Sequence, residues 1–561
     1  MTFATRLFLA LLSCMFVLPT LCSAQSTPRT VFNDDAQMLM EAPAKGATKF
    51  VQQWLDREVA AVNFSTFVFL AATPDVCTYD TQVGETYGDR FGPNYRGSWT
   101  PGIRALRREG TDALKVVTSH MHRKGKEVLA AIRMSDTHHR EISAESPLCS
   151  LFAVKNPQFV IRQPDQRTNE TALDYSYPQV RAHRLAIMKE VVEEYDVDGL
   201  ELNFVRWAKH FPRNKGREKA DILTRYIETI HKMMATAAGK RGRKPLTLGV
   251  RIPESIEACW RAGVDIETWV KRGWVDYVVL STWNNTDPNM PVGEFTRFTK
   301  PAGVDTIVVM GNMIGCIYDG PPKILDRPVA MSAKHKSESY LAMLLTAAEA
   351  RGAAANYYAA GADSISFWNV GIHFGGEATA TPEQRKRIAD WTQAVITPER
   401  VYQGPRTYRF LPMGKGISTR KPPLRNYPWY DEGFSPLGHK NSPVLTFPDD
   451  QLGKRQVFPF QMADGRDGKP LTGKLTLWVY HLNRQDQLTI DINGKVVAAE
   501  DIRRQQVGKR RGGLPGERLE ISLADCPPFR GQNQLGLTLK KLVGQHQAPP
   551  YTEELEIHVN Q

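Results

Sequence analysis

Two short runs hold most of the residues that could do chemistry. The first is Asp198-Gly-Leu-Glu201-Leu-Asn203-Phe-Val-Arg206, which alternates apolar and polar side chains. Alternation with period two is the pattern of a strand. It sets Leu200, Leu202 and Phe204 on one face and Gly199, Glu201 and Asn203 on the other. A carboxylate and an amide on an inward face are costly unless they are paired or used. The second run, Arg133-Met-Ser-Asp136-Thr-His138-His139, ends another apolar segment with a cation, a carboxylate and two imidazoles. Two carboxylates in different surroundings can cleave a glycosidic bond: one protonates the leaving oxygen, and the other attacks or activates water. Glu201 is the first candidate, with Asp136 or Glu254 as partner. Arg133, His138, Asn203, Arg206 and Arg251 could orient these groups or bind hydroxyls. The rival readings are a structural Glu201 held by Arg251, and an Asp136 that caps a turn beside solvated histidines.

Further candidates stand at the ends of other β-like segments. They are Asp34 within Asn33-Asp34-Asp35, Trp283 within Trp283-Asn-Asn, and the pair Trp368-Asn369. Asn312 and His373 are weaker members of the same set. Tryptophans suit stacking against sugar rings, and Asn, Asp and Arg suit hydroxyl recognition. A zinc site on Asp136, His138 and His139 has no second ligand cluster to support it. No GxGxxG or GxxxxGK[ST] follows an early strand, so no cofactor is expected.

The elements that must position these residues alternate. Strands are predicted at Thr30–Asn33, Thr66–Ala71, Glu127–Arg133, Val197–Phe204, Leu246–Arg251, Val275–Ser281, Thr306–Met310 and Ser364–Trp368. Helices are predicted at Lys49–Val62, Pro178–Tyr195, Lys219–Ala238, Ser337–Gly361 and Pro382–Val395. This is the α/β arithmetic of a (β/α)8 barrel over residues 25–400, whose site forms at the C-terminal strand ends. Residues 401–450 are rich in Pro and read as a linker or wrapped extension. Residues 451–561 alternate in at least five strands, with Asn493-Gly494 as a tight turn, and read as a β-sandwich. That sandwich is either a carbohydrate-binding module using Trp478 or Tyr480, or a structural domain that buries them.

The apolar run Leu7–Leu21, with Arg6 before it and Ser23-Ala24 after it, reads as a signal peptide over 1–24. Export to the periplasm or medium follows, with membrane attachment only through a lipid on Cys14, since Leu11-Leu12-Ser13-Cys14 loosely resembles a lipoprotein box. Beyond the signal lie Cys77, Cys149, Cys259, Cys316 and Cys526, an odd number whose pairing the spacing leaves open. A hydrophobic content of 42% with 24% charged residues excludes a mainly disordered chain. The formal charge of +12 is concentrated in 401–430, which has no Asp or Glu, and in Arg503, Arg504, Lys509, Arg510 and Arg511. Such basicity is compatible with an anionic glycan. Nucleic acid is disfavoured by export and by the lack of a reader motif.

Through Asp198-Gly-Leu-Glu-Leu-Asn-Phe-Val-Arg206, Arg133-Met-Ser-Asp136-Thr-His138 and Gly273-Trp-Val-Asp276, residues 29–400 resemble the bacterial glycosyl-hydrolase-like family ten group. The resemblance implies an exported TIM-barrel protein acting on carbohydrate. Members commonly carry an acid at the position held here by Asn203, so no catalytic role passes to position 203. The strand also resembles the DGxDxDxE motif of chitinase-type barrels. There Glu201, Asn203 and Val205 replace the later aspartates and the glutamate, which disfavours a substrate-assisted mechanism. The expected function is therefore a glycoside hydrolase of two-carboxylate type. Its rivals are a non-catalytic carbohydrate-binding barrel and a metal-dependent hydrolase.

Overall fold

A computed structural model describes residues 28–139, 141–162, 171–282, 285–319, 329–335, 338–370, 382–411, 442–465, 471–510 and 514–560. Eight parallel strands form a closed barrel: β1 (Val31–Asp34), β2 (Thr66–Ala72), β3 (Glu127–Arg133), β4 (Gly199–Asn203), β5 (Thr247–Pro253), β6 (Tyr277–Ser281), β7 (Asp305–Met310) and β8 (Ser364–Trp368). Closure is explicit, because Val31 of β1 pairs with Thr66 of β2 and with Ser366 of β8. The strands are rich in Val, Ile, Leu and Phe and buried along nearly their whole length, as strands covered by helices on one face and packed inside on the other must be.

The inward face can be followed around the barrel by register. Ala131, Glu201 and Gly249 are neighbours on β3, β4 and β5, and Gly249 pairs with Tyr277 of β6. One layer higher, Arg133, Asn203 and Arg251 are aligned in the same way. A Cβ at Gly249 would stand 2.0 Å from the Tyr277 ring, so only glycine lets that phenol cross toward β4.

The N-terminal face is fastened by a repeated device. The side chain just before each even-numbered strand accepts a hydrogen bond from the backbone N–H at the start of the preceding strand. Ser65 Oγ accepts from Thr30 at 2.9 Å, Asp198 from Val128 at 2.8 Å, Asp276 from Leu248 at 2.7 Å and Asp363 from Thr306 at 2.8 Å.

Helix positions follow expectation at 47–61, 178–194, 216–240 and 382–395. The expected helix Ser337–Gly361 is two elements. Glu338–Leu344 is a strand pairing with Met313–Asp319 and Val329–His335, and the helix begins at Ala347. Thr346 and Glu349 form a capping box that fixes this start. Short helices at 100–108, 113–123, 256–262, 266–271 and 293–299 were not expected.

The C-terminal region is two antiparallel sheets. One contains strands 406–410, 551–559, 473–480, 514–522 and 502–510, and the other strands 455–462, 531–541, 487–492 and 495–496. Leu475, Leu477, Ile521, Leu555, Phe458, Phe460, Leu535 and Leu537 fill the space between them. Asn493 and Gly494 both have positive φ and turn the chain from 492 into 495. Residues 406–410 therefore belong to a sheet rather than to a linker, while 412–441 lie outside the described residues.

The sandwich is fixed to the barrel. Asn356 donates to the Gln461 carbonyl at 2.7 Å and accepts from Ala463 N–H at 2.7 Å, and Asn289 donates to the Pro459 carbonyl at 2.9 Å. Arg409 pairs with Glu349 of the barrel and with Glu554 and Glu556 of the sandwich, and Arg406 pairs with Asp464. The basic run at 401–430 thus finds acids distant in sequence at both of these positions. Arg503 and Arg504 stand on strand 502–510. Tyr480 is buried against Tyr551, whereas Trp478 is partly exposed with Arg518 over its ring at 5.4 Å.

Cys77, Cys149, Cys259 and Cys526 are buried free thiols, and the Cys316 side chain lies outside the described set. Residues 1–27, which include the expected signal peptide, are also outside it. No helix among the described residues is long and apolar enough to cross a membrane.

Candidate active site

At the C-terminal strand ends, side chains from β1, β3, β4, β5 and β8 meet in one buried charged cluster. Arg133 at the end of β3 bridges two aspartates, with Nη1 2.6 Å from Asp136 and Nη2 2.9 Å from Asp35. A single guanidinium therefore sets the spacing of both carboxylates. Asp35 is fixed from the other side by Asn369, whose Nδ2 donates at 2.8 Å and whose Oδ1 accepts the Asp35 N–H at 2.9 Å. Asn369 adopts φ 47°, a left-handed conformation uncommon outside glycine that aims its amide at β1.

Asp136 also receives the His138 N–H at 2.9 Å and has His138 Nδ1 at 2.5 Å. His138 Nε2 lies 2.7 Å from Arg206 Nη2. Arginine can only donate, so Nε2 accepts and the His138 proton resides on Nδ1, facing Asp136. Burial lowers the His138 pKa further than Asp136 raises it, so the ring is neutral near neutral pH. His139 faces the Thr171 carbonyl instead and does not join Asp136 and His138. Among the described residues no group of three or more His, Cys, Asp or Glu is arranged to hold a metal.

Glu201 lies one layer deeper and is 1% exposed. Asn33 Nδ2 donates to Oε1 at 3.0 Å and the Tyr277 hydroxyl donates to Oε2 at 2.9 Å. The carboxylates of this cluster are driven apart. Burial pushes Glu201 up, against Arg251, Tyr277 and Asn33. Burial also opposes the charge on Asp136, but His138 and Arg133 outweigh it and hold that carboxyl far below the usual range. Asp35 is lowered to about 2, because Arg133, Arg206 and Asn369 together outweigh its burial.

Arg251 donates to Ser281 Oγ from Nε at 3.1 Å and from Nη2 at 2.9 Å, and its guanidinium lies 4.4 Å over the Trp368 ring. Arg206 stands over the same ring at 5.7 Å. Trp368 is 1% exposed, so its ring carries arginines where a sugar platform was expected. Asn203 ends β4 by accepting the N–H groups of Val205 at 3.0 Å and Arg206 at 3.1 Å. That turn sets the direction in which Arg206 leaves the strand.

One expected residue stands elsewhere. Asp34 is fully buried, and its Oδ1 accepts the Gln37 N–H at 3.1 Å; its neighbour Asp35 enters the cluster instead. Glu254 is fully buried near Cys259, whose ionisation its charge opposes. Trp283 and His373 lie outside the described residues. Sequence reading missed Tyr175, Arg184 and Asp75. Tyr175 donates to the Met134 carbonyl at 2.5 Å and Arg184 at 3.1 Å, while Arg184 also holds Asp75 at 3.1 Å. These three brace the turn that carries Asp136. Behind that turn Asp75, Asp136, His139, Ser150 and Arg184 line a cavity of about 10 Å³, room for about one water.

Fold and site together define a (β/α)8-barrel protein with two carboxylates lowered by arginine at the C-terminal strand ends and a third carboxyl, raised by burial, beneath them. No protein-family model matches the chain, and no curated protein matches it in sequence. Among solved structures, alpha-L-fucosidase isoenzyme 2 from Paenibacillus thiaminolyticus aligns at 14% identity and TM-score 0.39, over 66% of this chain and 49% of that one. The present chain thus spans about half the length of that enzyme. A glycoside hydrolase family 18 N-acetylglucosaminidase from Paenibacillus barengoltzii aligns at 11% identity and TM-score 0.36, over 65% of this chain and 99% of that one. The PgaB (BpsB) glycoside hydrolase domain from Bordetella bronchiseptica gives the same four values. At identities and TM-scores this low the likeness assigns neither activity nor residues, and the barrel stands on its own closed register.

Proposed function

We propose that the chain is an exported glycoside hydrolase that cleaves a poly- or oligosaccharide at the C-terminal face of the barrel. One observation carries this reading: within one buried cluster, Arg133 and His138 lower Asp136 while burial raises Glu201, so the two carboxyls are pushed in opposite directions. Carboxyl groups whose surroundings push them in opposite directions supply a base or nucleophile and an acid at one pH. Asp136 is the anionic partner and Glu201 the proton donor. Arg133 sets Asp136 in place, His138 and Arg206 receive sugar hydroxyls, and Asn369 positions Asp35.

The test is turnover by the secreted protein on a broad panel of polysaccharides, with Asp136→Asn and Glu201→Gln beside the parent. Each variant should lose about 10²- to 10⁴-fold in kcat while it still binds the glycan the parent cleaves. Turnover unchanged in both variants would refute the assignment.

A second reading, a carbohydrate-binding barrel without turnover, is favoured by one feature. Both Glu201 oxygens are occupied by Asn33 and Tyr277, so a substrate must displace one of them to take the proton. A parent protein that binds members of the panel and cleaves none of them establishes that reading. Export is checked by fractionating cells that express the full chain: the mature protein should be outside the cytoplasm and begin after residue 24.

A further inference from the structure

We propose that a groove on the outer wall of the barrel is a second binding site, one that takes a phosphate monoester about the size of a sugar phosphate. The groove lies between the helices Ala347–Ala359 and Pro382–Val395 and the short helix Pro398–Val401, and its volume is about 690 Å³. That is the size of a small-molecule site. It shares no residue with the cluster at the strand ends, so it stands apart from the hydrolase reading. Ala347, Ala389 and Ala394 line it with short side chains, while Arg351 and Arg400 bring guanidiniums to it from different helices.

These two arginines differ from their neighbours at the junction of barrel and sandwich. Arg406 is paired with Asp464, and Arg409 with Glu349, Glu554 and Glu556. Among the described residues no carboxylate pairs with Arg351 or Arg400. Arg351 is partly exposed; its Nε is buried, and both Nη atoms are open to solvent. The backbone at Gly404 supports this guanidinium, since a Cβ there would stand 3.1 Å from its Cζ and Nη1. Arg400 Nη1 donates to the Gln393 carbonyl at 3.3 Å and to Gln393 Oε1 at 3.0 Å, which leaves Nε and Nη2. Asp390, the acid of this wall, is already matched by Lys386 at 2.6 Å. The groove therefore carries positive charge, with N–H donors from two directions. A planar carboxylate meets one guanidinium fork, whereas a tetrahedral phosphate dianion offers oxygens to both.

The experiment is calorimetric titration of the full chain with glucose 6-phosphate, beside glucose, glucuronate and inorganic phosphate. Glucose 6-phosphate should bind the parent about tenfold or more tightly than each of the other three. Arg351→Gln and Arg400→Gln should each weaken that binding about tenfold to a hundredfold, as loss of a charged hydrogen-bond donor does. Arg400 is exposed, so its substitution leaves the fold in place. Arg351→Lys, which keeps the charge and loses the fork, should fall between parent and Arg351→Gln, with a thermal midpoint close to the parent. Arg503→Gln, on the sandwich, should leave the affinity intact.

The proposal fails if glucose 6-phosphate does not bind, or if glucuronate or inorganic phosphate binds as tightly. It fails equally if the affinity survives in folded Arg351→Gln and Arg400→Gln, or disappears in Arg503→Gln. Turnover on glycans bears on the hydrolase reading alone, because the groove and the strand-end cluster have no residue in common.

Discussion

The two ends of the barrel use carboxylates in opposite ways. At the N-terminal face Asp198, Asp276 and Asp363 are partly or fully exposed, and each accepts a backbone N–H that the strand before it supplies. Their partners come with the fold, and water is at hand for the remaining lone pairs. At the C-terminal face Asp35, Asp136 and Glu201 are buried, and apart from the His138 N–H on Asp136 their partners are the side chains of Arg133, His138, Tyr277, Asn33 and Asn369. Remove one partner and a buried charge is stranded. The lower end fixes geometry at low electrostatic cost, while the upper end keeps a costly charge arrangement that a site requires and a scaffold does not.

Substitutions at the two ends should therefore differ in size and in kind. The largest effect is expected for Arg133→Met, which leaves Asp35 and Asp136 buried against each other. It should lower the unfolding free energy by roughly 3–5 kcal/mol in denaturant titration. Next comes acid. Asp35 is held at about 2 against an ordinary 3.8, so its contribution is present above the higher value and lost as pH falls through the lower one. Between about pH 4 and pH 2 the parent should lose about 2 kcal/mol more stability than Asp35→Asn. A loss of equal size in both proteins would mean that the Arg133 bridge does not act on Asp35 as described. The smallest effect belongs to the lower end. Asp276→Ala should cost about 1 kcal/mol, with kcat of the folded protein unchanged. A change in kcat there would erase the distinction between the two ends.

The same contrast explains what could be read from sequence. All eight barrel strands were legible, because strands buried on both faces must be apolar runs and their order in the chain is their order in the barrel. The inward placement of Glu201 and Asn203 was legible for a related reason, since alternation fixes faces within a strand. Alternation from Asn33, which bonds Glu201 inside the barrel, puts Asp34 on the other face and Asp35 inward, so Asp35 rather than Asp34 was the residue the pattern pointed to. The apolar run Tyr340–Leu345 suits either a helix or a strand, and only the capping box at Thr346 marks where the helix starts. Asp198 and Asp276 looked like part of a functional motif, and their hydrogen bonds are those of strand clamps. Trp368 looked like a sugar platform because nothing local to it reveals the two arginines that cover its ring.

The central claim is that one cluster pushes Glu201 up and Asp136 down, and infrared difference spectroscopy across a pH titration tests it directly. In parent minus Glu201→Gln spectra the C=O stretch of a protonated carboxyl should appear at a higher pH than for an ordinary glutamate. Parent minus Asp136→Asn should show the paired stretches of a carboxylate at every pH down to the ordinary aspartate range and below it. A Glu201 signal that titrates at or below the ordinary glutamate value would contradict the account.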